Sequence, residues 1–191
     1  MTAPAPRDAA PDLATAVIGY RQWRLHGAEL WSTHATQRWD RGVHSARCER
    51  DRHPGPAPAN GCTCGIYAWY GPAPRGASAA TADLVAGAVA LWGQIELHAH
   101  GMRAQHATVV ALALPFSRGD KRRRLVAAAT ALDVPAVPAR RLAGVALAHG
   151  APIPRSMRPP DLEPNKRKAP GPPAPARLRA VADGYRGRPS Q

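Results

Sequence analysis

The chain reads as an α+β protein: a small, curled antiparallel β-sheet or partly open barrel with a zinc-stapled loop, then a helical pair and a disordered basic tail. Three observations predict it. Residues 85–98 alternate strictly, with Val85, Gly87, Val89, Leu91, Gly93, Ile95 and Leu97 on one face, the period of two that marks a strand. All three cysteines fall between Cys48 and Cys64, beside a histidine. After Pro115 the pattern turns helical and then Pro-rich and basic.

Taken in order, residues 1–16 are rich in Pro and Ala and predict a disordered N-terminus. From Ile18 to Ser32 the pattern is strand, turn, strand: Trp23 and Leu25 alternate with Gln22 and Arg24, and His26-Gly27 supplies the tight turn. Residues 33–46 form a connection through Trp39-Asp40-Arg41-Gly42. The Pro/Gly run from Pro54 to Gly61 is a loop by composition. Residues 63–70, carrying Ile66, Tyr67, Trp69 and Tyr70, favour a strand. Beyond the alternating segment, His98 to Gly101 make a turn and 102–111 return as its partner. Gly87 and Gly93 mark bends or bulges. The β domain is thus 17–114, with about five strands.

In the 115–150 segment, a first helix runs over 121–132 with Leu125, Ala129 and Leu132 on one side, and is broken by Pro135 and Pro138. A second opens at Pro138 and places Leu142, Val145, Ala146 and His149 on one face, with Gly150 as its stop. Residues 151–191 read as a flexible basic tail with one short helix over 176–182.

The Cys/His window carries the clearest chemistry. Cys48, His53, Cys62 and Cys64 make a three-cysteine, one-histidine set, a combination that zinc accepts in structural sites. Cys62 and Cys64 are two apart, so on an extended segment both thiols point the same way, and Gly61 and Gly65 flank them to allow a bend. His44 is a substitute for His53. The competing readings are small side chains at a sheet edge with Cys48 a surface thiol, or an iron–sulfur or redox-active pair. A closed four-ligand set has no open position, so structural zinc implies no catalysis.

Composition bounds the function. The chain has 191 residues, with 26 Lys and Arg against 13 Asp and Glu and a formal net charge of +13. Such a charge favours nucleic acid or another anionic partner, and the basic runs Lys121-Arg122-Arg123-Arg124 and Lys166-Arg167-Lys168 are the candidate contacts. Four cations at a helix start oppose its dipole, which a polyanion would relieve; salt-screened, solvated charge is the alternative. Trp23, Trp31, Tyr67, Trp69 and Trp92 are either a stacking platform or the core itself. An odd number of cysteines argues against a disulfide framework and for a reducing, cytoplasmic setting. The longest apolar run, 109–114, is far short of a membrane span, so no membrane is expected as partner. His98, His100 and His106 are candidates for acid–base work; no carboxylate pair, phosphate loop or nucleophile motif accompanies them.

Gly19-Tyr20-Arg21-Gln22-Trp23-Arg24-Leu25, then Ala46-Arg47-Cys48, Cys62-Thr63-Cys64-Gly65-Ile66-Tyr67-Ala68, and Gly87 to Gly93 resemble the pattern of a group of small uncharacterised bacterial proteins. The resemblance covers about residues 17–138. It implies a shared β domain with a Cys/His element and brings no activity with it. The expected function is a non-enzymatic, zinc-stabilised binding or adaptor protein; a protein–protein interaction domain is the alternative, and a small enzyme using the histidines comes third.

Overall fold

The computed structural model describes residues 15–50, 53–72, 83–116 and 119–160. The N-terminal segment up to residue 14 and the tail beyond residue 160, with Lys166, Arg167 and Lys168, lie outside the described residues. Among the described residues, nine strands and two α-helices follow in order: β1 (Val17–His26), β2 (Glu29–Ser32), β3 (Arg38–Trp39), β4 (His44–Ser45), β5 (Ile66–Trp69), β6 (Leu84–Leu97), β7 (Gly101–Leu114), α1 (Asp120–Leu132), β8 (Ala136–Pro138), α2 (Leu142–Ala146) and β9 (Ala151–Pro152).

Three long strands, β1, β6 and β7, form the body of one sheet. β6 pairs antiparallel with β1 from Val17↔Leu91 to Arg24↔Leu84 and with β7 from Gly87↔Leu112 to Leu97↔Met102. The two hairpins expected from sequence are both present, with Gly27 at φ 57 in the first turn. β5 then pairs with the far edge of β7 from Ile66↔Ala104 to Trp69↔Gly101 and touches β1 through Tyr20↔Trp69. The sheet therefore closes partly into a ring, β1–β6–β7–β5–β1, without becoming a clean barrel.

The expected strand direction and tail boundary need correction. The sheet is mixed rather than antiparallel, because β8 runs parallel to β7 and β9 parallel to β1. Both are short pieces beyond the first helix, laid on edges that the antiparallel body leaves open. The chain also stays in the fold past Gly150: Ile153 is buried and Met157 packs on the core. Residues 151–160 are therefore part of the domain rather than of a tail.

Bulges explain how long strands bend into a ring. Between Trp92↔His106 and Ile95↔Ala104, β6 carries Gly93 and Gln94 against a single Gln105 of β7. Gly93 takes φ 76, as an extra residue in a bulge requires. A second shift puts Val110 of β7 between the pairs Val89↔Val109 and Ala88↔Ala111. Gly87 is not a bend: it lies in regular register, and a Cβ there would stand 3.0 Å from the Trp23 ring.

The sheet is buried on both faces, which the alternating pattern of β6 alone does not reveal. Trp23, Leu25, Val85, Val89, Leu91 and Leu112 pack on one side with Leu125, Ala128, Ala129 and Leu132 of α1. Ile18, Tyr20, Ala88 and Ala90 pack on the other with Leu142 and Ala146 of α2. Neighbouring strand residues point to opposite faces, so the two helices cover opposite sides of the sheet instead of packing as a pair. Ala88 and Ala90, on the face of β6 opposite the Val and Leu row, are the seat of α2.

Candidate metal centre

Cys48, His53, Cys62 and Cys64 converge as the sequence predicts. One ligand atom from each lies within 4.8 Å of the others, close enough to hold a metal ion. Cys48 enters from the segment just after β4; Cys62 and Cys64 form the knuckle that leads directly into β5. The loop between them is anchored by Ala57 and Pro58, both buried. Gly61 and Gly65 adopt φ 74 and φ 123, so the bend around Cys62-Thr63-Cys64 uses conformations that side chains disfavour.

The donor atoms are oriented for ligation. The Sγ atoms of Cys48 and Cys62 are 3.7 Å apart, far beyond the bonding distance of a disulfide. His53 Nε2 lies 3.1 Å from Cys64 Sγ. Its other nitrogen, Nδ1, is 3.1 Å from the Gly55 carbonyl, an acceptor only. Nδ1 therefore carries the proton, and the Nε2 lone pair faces the sulfurs, the arrangement that metal-ligating histidines use. The Cys62 thiol is pushed down to about 6, chiefly by the Cys64 backbone N–H at its sulfur. Burial pushes the Cys64 thiol up.

His44 is not part of the set. Its ring stacks on Trp39 at 4.4 Å between centroids and bonds the Asp40 carbonyl through Nε2. Sequence reasoning missed the arginine that backs the knuckle: Arg103, on β7, is 4% exposed and donates to the carbonyls of both Cys62 and Cys64. Its signal was faint, a lone cation in the alternating run after Gly101.

The three histidines of the second hairpin do not gather in one place. His106 bonds Ser45 Oγ at 2.9 Å and packs beside Trp92. His98 instead accepts from Arg103 Nε and neighbours Glu96. Among the described residues, Cys48, His53, Cys62 and Cys64 form the group close enough to hold a metal ion, and His98, His100 and His106 are outside it. The aromatics do not make one platform either. Trp23 is fully buried and meets Trp39 edge-on, Trp31 pairs with His26 near the hairpin turn, and Tyr67 is about half exposed.

The basic run opening α1 is largely engaged from within. The helix starts at Asp120, one residue before the expected Lys121, so a carboxylate occupies the end where the dipole favours one. Asp120 pairs with Arg123 and Arg124, Arg124 also reaches Asp83, and Lys121 Nζ donates to the Leu84 carbonyl. In the first turn, the Arg122 backbone N–H donates to the Gly119 carbonyl. The conflict between cations and dipole is thus relieved inside the chain.

Among the described residues no helix is long and apolar enough to cross a membrane. Comparison with protein-family models, curated proteins and solved structures finds no match.

Proposed function

We propose that the chain is a non-enzymatic binding or adaptor module, stapled by structural zinc, that engages nucleic acid or another anionic partner. The observation that carries this reading is the complete donor set of three sulfurs and one imidazole within 4.8 Å. Soft thiolates with one imidazole in a tetrahedral set favour zinc. Zn–S bonds of about 2.3 Å place tetrahedral sulfurs about 3.8 Å apart, and Cys48 and Cys62 stand at 3.7 Å. Four protein ligands leave no position for water or substrate, which argues for a structural ion.

The anionic partner is supported by the net charge of +13 and by what surrounds the metal loop. Arg47 and Arg50 are exposed on either side of Cys48, and the half-exposed Tyr67 bonds the Thr63 carbonyl inside the knuckle. Exposed guanidinium groups suit phosphates, and an exposed aromatic ring suits an unstacked base. Arg122 and Arg123 add charge on α1. The second reading, a protein–protein domain whose charge serves solubility, is favoured by the internal engagement of Lys121 and Arg124.

Elemental analysis and titration of a labelled single-stranded oligonucleotide test the proposal together. We expect one zinc per chain, loss of metal and a lower melting temperature in Cys64→Ser, and oligonucleotide binding that weakens steeply as salt rises. Protein without metal, or without binding at low salt, overturns the corresponding half. A protein partner retained at high salt selects the second reading.

A further inference from the structure

We infer that Arg103 is the positioning residue of the metal knuckle, setting how tightly and in what geometry the four ligands hold their ion. The inference rests on the reading of Cys48, His53, Cys62 and Cys64 as metal ligands. Arg103 sits near the start of β7, directly opposite Glu96 of β6 on one side and Tyr67 of β5 on the other. Its guanidinium is divided among four acceptors. Nη1 donates to the carbonyl oxygens of Cys62 and of Cys64, the latter at 2.8 Å. Nη2 donates to Glu96 Oε2, and Nε to His98 Nε2 at 3.1 Å.

This arrangement joins the knuckle to the sheet from behind. Residues two apart on a nearly extended segment repeat their orientation, so the bend that sends two sulfurs to one centre also sends two carbonyls to one donor. Glu96 and His98 hold the far side of the guanidinium, and the Tyr67 ring lies against it with 5.9 Å from Cζ to centroid. The stem is equally confined: a Cβ on Gly65 would stand 3.0 Å from the Arg103 Cβ. A glycine after Cys64 lets the knuckle come down onto this side chain. Among described residues, no other side chain donates to both cysteine carbonyls.

A planar fork with five fixed N–H groups can serve these acceptors at once; a lysine ammonium keeps the charge but cannot span them. Losing such a partner behind a ligand typically weakens metal binding about 10- to 100-fold. Arg103→Lys and Arg103→Met should both fall in that range, and Glu96→Gln, which frees one anchor of the guanidinium, should show a smaller loss.

The test uses the full chain, stripped of metal and titrated with Co²⁺ against a competing chelator, reading affinity and the visible spectrum of the saturated protein. The expected result is weaker affinity and altered ligand-field bands in both Arg103 variants, with Lys giving no rescue. Affinity and spectrum equal to wild type, even alongside a lower melting temperature, would make Arg103 an ordinary core residue and overturn the inference. Should Arg103→Met not fold, Arg103→Lys and Glu96→Gln decide by the same two readouts. A wild-type chain that binds neither Co²⁺ nor Zn²⁺ refutes the metal centre itself, a distinct failure.

Discussion

Tyr20 and Trp69 are directly opposite each other, and this pair is the register contact that joins β1 to β5. The strand that closes the ring is in register with β1 at one position, whereas its pairing with β7 runs over four residues. The knuckle of Cys62 and Cys64 lies immediately before that strand. A metal there would hold β5 at its N-terminal end while Trp69 holds the other.

Chelating the metal from wild-type protein should therefore raise amide hydrogen exchange first in residues 66–69 and at Tyr20. The central pairing of β6 with β1 and β7 should stay protected longer, since stability is not uniform across a structure. Unchanged protection of β5 after metal removal would show that the seam holds without it.

Trp23 is the largest fully buried side chain near the hairpin, edge-on to Trp39 at 5.4 Å between centroids. Replacing it with alanine should cost about 3–5 kcal/mol, read as a lower midpoint in urea denaturation. Trp31, half-buried near the turn, should tolerate alanine much better; equal losses at the two positions would contradict the division between core and surface aromatics.

Gly93 and Gly27 both take positive φ, but their surroundings differ. A Cβ at Gly93 would stand 2.7 Å from Gln105 Oε1 and 2.9 Å from the His106 ring, while one at Gly27 meets nothing within 4 Å. Gly27→Ala should cost about 1–2 kcal/mol from backbone conformation alone. Gly93→Ala adds crowding to the same strain and should cost more. Equilibrium unfolding of the two variants gives the order, and the reverse order would mean that the bulge relaxes freely.

Leu125 of α1 and Leu142 of α2 are buried in separate clusters on opposite faces of the sheet. Each leucine-to-alanine change should cost about 2–5 kcal/mol. With no shared partners, the double variant should equal the sum within about 0.5 kcal/mol. A coupling energy well above that would place the two helices against one core.

What the residues alone made legible was local. Alternation over 85–97 and the His26-Gly27 turn specify strands and a hairpin because side-chain direction and backbone φ are decided within a few residues. Cys48, His53, Cys62 and Cys64 were readable as one ligand set because metal chemistry narrows the donor types and the connecting loop is short. The engagement of Lys121 and Arg124 was not readable, because Asp83 and the Leu84 carbonyl lie far away in sequence. Nor was the seat of α2, since an alanine face reads the same whether water or a helix covers it.

The amino-acid order by itself thus determined the long strands, their hairpin turns and which four side chains are candidate ligands. Only the tertiary structure decided that β5 bridges β7 to β1, that the helices part to opposite faces, and that Arg103 grips the knuckle. Each of these depends on pairing edges or filling surfaces between segments distant in the chain, and burial and hydrogen-bond satisfaction select among such pairings only when all the segments are present together.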